Sequence, residues 1–399
     1  MVTRWASFVV LFATSLIASL ILTPVARRIA WKVGSVDFPG GRRINQHPLP
    51  RMGGIAVFAS LFIGLAITVA LKEALGWPSF TTASILPIPG TQKSIDYIRL
   101  AVAFACVFAT GIIDDLVSLK PRQKFLGQLA AAAIAVSSGL TIDIVVNPFT
   151  NGALDLSWLG CPITAIYLVA YANIFNLIDG LDGLASGIAC IASLTMWVVS
   201  TMAGHPDAAA LSMLLAGATL GFLRYNFNPA SVILGDSGSL LIGFVLGSVS
   251  LMSVQRVAGL TSIIVPLVIS GIPIIDTLSA IIRRGRAHVS IGQADKGHIH
   301  HRLMEEGFNQ RETVFFIYLW TLLLCVGSIV MTQVTVGPRI FIFLMLIIAS
   351  ALFAMRLHLF RPVLLHHYNP ETGSDEIVNP TDEAFEREAE RFDEEHPLF

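Results

Sequence analysis

Two adjacent carboxylates close an apolar run in Gly111-Ile-Ile-Asp114-Asp115. Side by side they repel, so a proton, a divalent cation or a neighbour such as Lys120 or Lys124 must compensate, unless they are a solvated helix end. A second acidic group lies in Asn173-Ile-Phe-Asn176-Leu-Ile-Asp179-Gly-Leu-Asp182-Gly. On a helix, Asp179 and Asp182 share a face, with Asn173 and Asn176 one turn earlier. Gly180 and Gly183 let a ligand or another backbone come close. This stretch carries no Lys or Arg, which points to Mg²⁺ or a cationic ligand; a capping Asp pair is the plainer alternative. A third motif runs from Asn226-Phe-Asn228-Pro229 to Gly235-Asp236-Ser237-Gly238-Ser239. Asp236 there suits an N-cap, and the same geometry offers backbone N–H groups to a phosphate.

A fourth motif is basic: Arg283, Arg284 and Arg286, then Asp295-Lys296-Gly297-His298-Ile-His300-His301-Arg302. The arginines alone fit a topology signal. Zinc is a poor match, because no Cys is near and His298 and His301 form a single i,i+3 pair. His298, His300, His301 and Arg302 read better as contacts to a diphosphate, while a hard, oxygen-bound ion suits the carboxylates. A fifth stretch, Asp37-Phe-Pro-Gly-Gly-Arg42-Arg43 through His47 to Arg51-Met-Gly-Gly54, is an irregular Pro/Gly loop that carries arginines.

Few elements could position these groups in so apolar a chain. Of 399 residues, 54% are hydrophobic and 13% charged, and mean hydropathy is +0.71. That excludes an ordinary soluble enzyme and a disordered protein. A net charge of −1 excludes a basic nucleic-acid footprint. Cys106, Cys161, Cys190 and Cys325 lack CxxC spacing and read as small packing residues. Eleven apolar segments suit membrane spans: about 6–27, 53–75, 97–113, 124–140, 159–176, 184–202, 208–222, 238–255, 262–282, 313–331 and 338–358. The expected fold is therefore an all-α polytopic bundle. The first segment lacks a cleavage site and reads as retained. Loops after odd-numbered spans hold sixteen Lys/Arg against five after even-numbered ones. This places the odd loops in the cytoplasm, the N-terminus outside and the C-terminus inside. Residues 1–361 form the membrane domain. Residues 362–399 form an acidic tail, in which Thr381-Asp382-Glu383 could cap a short helix bearing Phe385 and Phe392.

Carboxylates, cations and histidines thus gather on one leaflet, which suits phosphoryl-group transfer on an oxygen-bound metal. The chain resembles the polyprenyl-phosphate N-acetylhexosamine-1-phosphate transferases, the membrane superfamily that includes MraY, WecA and TagO. The resemblance rests on Asp114-Asp115, Asn176-Leu-Ile-Asp179-Gly-Leu-Asp182-Gly, Asn226-Phe-Asn-Pro-Ala, Gly235-Asp236-Ser-Gly-Ser and His298-Ile-His300-His301-Arg302, and covers residues 1–358. It implies transfer of a HexNAc-1-phosphate from a UDP-sugar to undecaprenyl phosphate, with UMP released and Mg²⁺ (or Mn²⁺ in its place) as cofactor. It further implies Asp236, with Asp115, at the metal and Asp114 or Asp115 at the lipid phosphate. Asp179 and Asp182 would serve the metal–diphosphate region, and Asn176 and Asn226 the nucleotide. His298 to Arg302 would serve the diphosphate and sugar, with Arg51 a further substrate contact. The family lysine three residues after the second Asp is Ser118 here, so Lys124 is the expected substitute and Lys120 the fallback.

The interrupted His-Ile-His-His-Arg run and the Pro-Gly-Gly-Arg-Arg loop resemble the GlcNAc-1-phosphate branch, hence UDP-GlcNAc as donor. UDP-MurNAc-pentapeptide is the alternative within the family. A secondary transporter, with ionisable residues at the bilayer midplane, and a scaffold acting through the acidic tail are the rivals outside it. Membrane lipids are the expected surroundings, a bacterial cytoplasmic membrane the expected location, and a homodimer is compatible with the sequence.

Overall fold

The computed structural model describes residues 2–38, 47–71, 83–84, 94–146, 153–254, 261–286, 297–360, 365–369 and 374–378. Arg42, Arg43, Asp295, Lys296 and the acidic segment from Thr381 onward lie outside the described residues. Each of the eleven expected spans holds helix among its described residues. They are α1 (Val2–Val33), α2 (Gly54–Ala70), α3 (Tyr97–Val117), α4 (Pro121–Ser137), α5 (Gly160–Ile178), α6 (Leu184–Met202), α7 (Pro206–Asn226), α8 (Gly235–Val254), the pair α9 (Thr261–Ile269) and α10 (Gly271–Arg286), then α12 (Gln310–Gln333) and α13 (Val336–Arg356). Between them, α11 (Ile299–Glu305) carries the histidines.

Eight of these helices are long and apolar enough to cross a membrane, so the protein is an all-α, multi-pass membrane protein. The other three segments differ from expectation in length. α2 and α4 have 17 residues each. The stretch expected at 262–282 is broken, because Pro266 stands inside α9 and Pro273 cannot donate to the preceding turn, so the chain bends at Ser270.

α8 is the axis of the bundle. Its span is 94% buried, against 11% for α13, which faces outward. It packs on α2, α3, α5, α6, α7 and α9. Small residues permit this, since a Cβ on Gly54 of α2 or Gly111 of α3 would fall 2.2 or 2.4 Å from the backbone at Ser237 and Gly238. Buried hydroxyls of the spans bond back to their own helices, as Ser239 does to the Gly235 carbonyl and Ser248 to Phe244. Because neighbouring helices alternate in direction, the C-termini of α3, α5 and α7 meet the N-termini of α4, α6, α8 and α12 at one end of the bundle. There a short antiparallel pair, β1 (Val36–Asp37) with β2 (Leu49–Pro50), abuts the entry to α8. The Ile233 N–H donates to the Pro50 carbonyl at 3.0 Å, and the Gly54 N–H to that of Leu234 at 2.9 Å.

Candidate active site

α3 ends at Ser118, whose φ of 51° turns the chain out of the helix. Asp114 holds that turn, as its Oδ1 accepts the Leu119 N–H at 2.7 Å. α4 then starts with Lys120 as N-cap and Pro121 at its first position, which places Lys124 one turn in. Its Nζ lies 2.9 Å from Asp114 Oδ2, 2.9 Å from Asp236 Oδ1 and 3.0 Å from Asn176 Oδ1. Among the described residues Lys120 makes no ion pair, so Lys124 is the residue the structure brings to the acidic pair. Gln128, one turn further along α4 and 1% exposed, sets this register by exchanging amide hydrogen bonds with Asn173 at 2.6 and 3.2 Å.

Asp115 faces the other way. Its two oxygens accept the N–H groups of Asp236 (2.8 Å) and Ser237 (3.0 Å). It thus caps α8 from outside the helix. Asp115, expected at the metal, anchors the residue expected beside it, and its Oδ1 also lies 3.7 Å from Arg51 Nε. Asp236 is flanked by Lys124, by Asn176 through a short amide bond, and by Arg51 at 3.5 Å. Arg51 also reaches Asp37 at 3.4 Å.

In front of Asp236 lies a cavity of about 410 Å³, lined among others by Asp37, Arg51, Asn176, Asp179, Asp182, His298, His300 and His301. Asp179 follows the last residue of α5 and accepts no hydrogen bond from the described residues. Burial, then the charges of Asp236 and Asp115, push its carboxyl well above the usual range; Arg51 opposes this weakly and Asp182 adds to it. Asp182 accepts from the Asn228 side chain and the Ala230 N–H, both at 3.0 Å, and so ties the loop after α7 to the cavity wall. Asn226, expected at the nucleotide, lines the cavity and is 2% exposed. Its amide is spent on Gly183, Ser186 and Val232, which makes it a brace for the Asp179–Asp182 turn. Tyr318 of α12 donates to the Gly183 carbonyl in the same turn.

The histidines close the far side. His300 lies against Gly180 and is 3% exposed. Burial and the charge of His301 lower it to about 3, so it is neutral at pH 7. His298 stacks on it at 5.8 Å between ring centroids. Arg302 pairs with Glu305 at 3.3 Å and does not line the cavity. Asp276 of α10 bonds to His298 Nδ1 at 2.7 Å. Neither Asp276 nor Gln128 stands out in the sequence reading. For Asp276 the signal was available, because a carboxylate inside an apolar run needs a partner.

Among the described residues no three His, Cys, Asp or Glu side chains form a ready metal cluster. The donors still fit Mg²⁺, which keeps several waters and takes one or two carboxylates plus substrate phosphates. Asp179 and Asp236 offer oxygen only, into one cavity.

Fold and site define a class: an integral-membrane protein with an acidic, anion-ready pocket at one end of its helices. The description "Glycosyl transferase family 4" matches residues 97–254. A Bacillus subtilis protein named "Probable undecaprenyl-phosphate N-acetylglucosaminyl 1-phosphate transferase" is 36% identical over 351 residues, 88% of this chain and 92% of that one. The decaprenyl-phosphate N-acetylglucosaminephosphotransferase of Mycolicibacterium smegmatis is 34% identical, covering 79% and 80%. The phospho-N-acetylmuramoyl-pentapeptide-transferase of Caldicellulosiruptor bescii is 27% identical, covering 83% and 98%. The chain belongs to glycosyl transferase family 4, the polyprenyl-phosphate N-acetylhexosamine-1-phosphate transferases.

Proposed function

We propose that this protein transfers GlcNAc-1-phosphate from UDP-GlcNAc to undecaprenyl phosphate, at the cytoplasmic face of a bacterial inner membrane and with Mg²⁺. The observation that carries the reading is the meeting of Arg51, Asp179, Asp182, Asp236 and the histidines around one cavity. The relatives' names favour GlcNAc as the sugar: those at 36% and 34% identity carry it, and the muramoyl-pentapeptide enzyme stands at 27%.

An oxygen of the lipid phosphate attacks the sugar-bearing phosphorus. A new P–O–P bond forms, the bridge to the uridine phosphate breaks, and UMP leaves with the electron pair. A phosphate monoester has a second pKa of about 6, so the nucleophile is already largely dianionic at neutral pH and needs little help from a base. The obstacle is bringing two anions together. Lys124 supplies fixed positive charge between Asp114 and Asp236, and Arg51 supplies more beside Asp236. Asp179 and Asp236 would hold Mg²⁺, which neutralises charge on the diphosphate and the leaving group. His298 and His301 line the wall where the diphosphate would lie.

The test uses purified protein, radiolabelled UDP-GlcNAc and undecaprenyl phosphate, with Mg²⁺ or EDTA. Lipid-extractable label with stoichiometric UMP, abolished by EDTA, is the expected result. Label transferred only from UDP-MurNAc-pentapeptide would move the protein to the other branch. Label accumulating unmodified inside sealed vesicles would make it a transporter.

A further inference from the structure

Asp276 sits in the second turn of α10 with its side chain fully buried. Neither oxygen is idle. Oδ2 lies 2.7 Å from His298 Nδ1, and Oδ1 accepts the Ile299 N–H at 2.8 Å. The backbone that carries it is held as well. The Ser279 hydroxyl donates to the Asp276 carbonyl at 2.8 Å, and Arg283 bridges Ser279 to the Leu359 carbonyl, at 3.2 and 2.6 Å. On the other side of His298 stand the cavity and the parallel ring of His300. His300 in turn rests on Gly180, beside Asp179.

An ionised carboxylate is acceptor-only. Facing Asp276, His298 must therefore carry its hydrogen on Nδ1, which fixes the plane of a ring that lines the cavity. We propose that Asp276 is a positioning residue for the transfer reaction: it sets the tautomer and orientation of His298, so that Nε2 meets the diphosphate of the nucleotide sugar. This rests on the function proposed above and assigns Asp276 a part in it. It also accounts for a carboxylate retained inside an apolar helix, where burial of a charge is costly unless it is paired.

Asp276→Asn separates positioning from folding. The side chain keeps its size, and its remaining oxygen can still accept the Ile299 N–H. Its amide nitrogen then faces His298 Nδ1 as a donor, which reverses the tautomer. With the purified full-length chain, D276N is expected to melt near wild type and to keep its KM for UDP-GlcNAc. Its kcat should fall on the order of 10²-fold, the scale of a misdirected acid–base or hydrogen-bonding group. His298→Ala should lose as much, and the double variant D276N/H298A no more than H298A alone, because both remove one unit. A purely architectural Asp276 would instead give independent, multiplying losses. NMR of isotope-labelled histidines supplies a readout apart from catalysis: a carboxylate-bonded Nδ1–H in wild type, absent in H298A and replaced by an Nε2–H in D276N. Wild-type-like kcat in D276N, multiplying losses in the double variant, or no such Nδ1–H in wild type would each overturn the proposal. A wild type that transfers no GlcNAc-phosphate but shows the signal would sink the proposed function and leave the Asp276–His298 relation standing.

Discussion

Asp115 accepts the backbone N–H of Asp236 at 2.8 Å, and that bond decides which way the Asp236 carboxylate faces. With Asp115 gripping the first turn of α8 from one side, the Asp236 side chain is left to Lys124, Asn176 and the cavity. The two acids should therefore fail differently. Asp115→Ala strips two buried N–H groups of their acceptor, at a cost of about 1–3 kcal/mol each, and is expected to lower both the melting temperature and turnover. Asp115→Asn keeps one acceptor and recovers part of the stability. Asp236→Ala leaves Lys124 paired with Asp114, so it should melt near wild type while UMP release with Mg²⁺ drops to background. Equal melting temperatures for D115A and D236A would contradict this division of roles.

Lys124 and Lys120 make a second contrast. Lys124 neutralises Asp114 and Asp236 together, whereas Lys120 enters the α4 cap through its backbone. Lys124→Met is expected to reduce kcat about 10²- to 10³-fold, the usual loss when a fixed charge-stabilising donor is removed. Arginine should restore little, because its planar fork does not fit a point charge shared by three oxygens. Lys120→Ala should leave turnover near wild type. Steady-state UMP release for the three variants checks the ranking.

What the sequence made legible follows from cost. Charges and histidines stand out in a chain that is 54% hydrophobic, so Asp179, Asp182, Asp236 and His298 to His301 announce themselves; Asp236 opens α8 and His300 and His301 lie in α11, whereas Asp179 and Asp182 sit in the turn after α5 and not on one helix face. Partners are harder to read, since a carboxylate looks the same whether it meets an ion or a backbone N–H. Asp115 and Asn226 are committed to backbone groups that no motif reveals. Gln128 finds Asn173 only once α4 lies against α5. The break at Ser270 hides between two apolar halves, where hydropathy alone reads one span.

Gly180 offers a steric test of the histidine wall. A Cβ there would stand 2.6 Å from His300 Cε1, and the ring is too buried to swing clear. Gly180→Ala should push His300 and its stacked neighbour His298 by a fraction of an ångström and disturb the turn between Asp179 and Asp182. Displacements of about 1 Å can cost 10²-fold in rate. A drop of at least about tenfold in kcat/KM for UDP-GlcNAc is expected on that scale, together with a lower melting temperature, because overpacking a closed contact costs about 1–3 kcal/mol. Unchanged kinetics would mean that the histidines do not depend on this contact.

Asp179 links pH, metal and stability. Its carboxyl is raised in the folded protein, against about 3.9 in an unfolded chain. Between those two values the folded state binds more protons than the unfolded one, so stability falls as pH rises through the interval, and the destabilisation is complete above the folded value. Metal-free Asp179→Asn carries no such charge and should therefore be more stable than metal-free wild type at pH 7, with the advantage shrinking toward pH 4. A cation bound at Asp179 reverses the balance, because it favours the ionised form and stabilises only the folded state. Added Mg²⁺ should thus raise the wild-type melting temperature at pH 7 and more weakly at low pH, and should do little for D179N. Thermal melts across pH, with EDTA or Mg²⁺, measure all three effects, and a Mg²⁺ response equal in both proteins would remove Asp179 from the metal site.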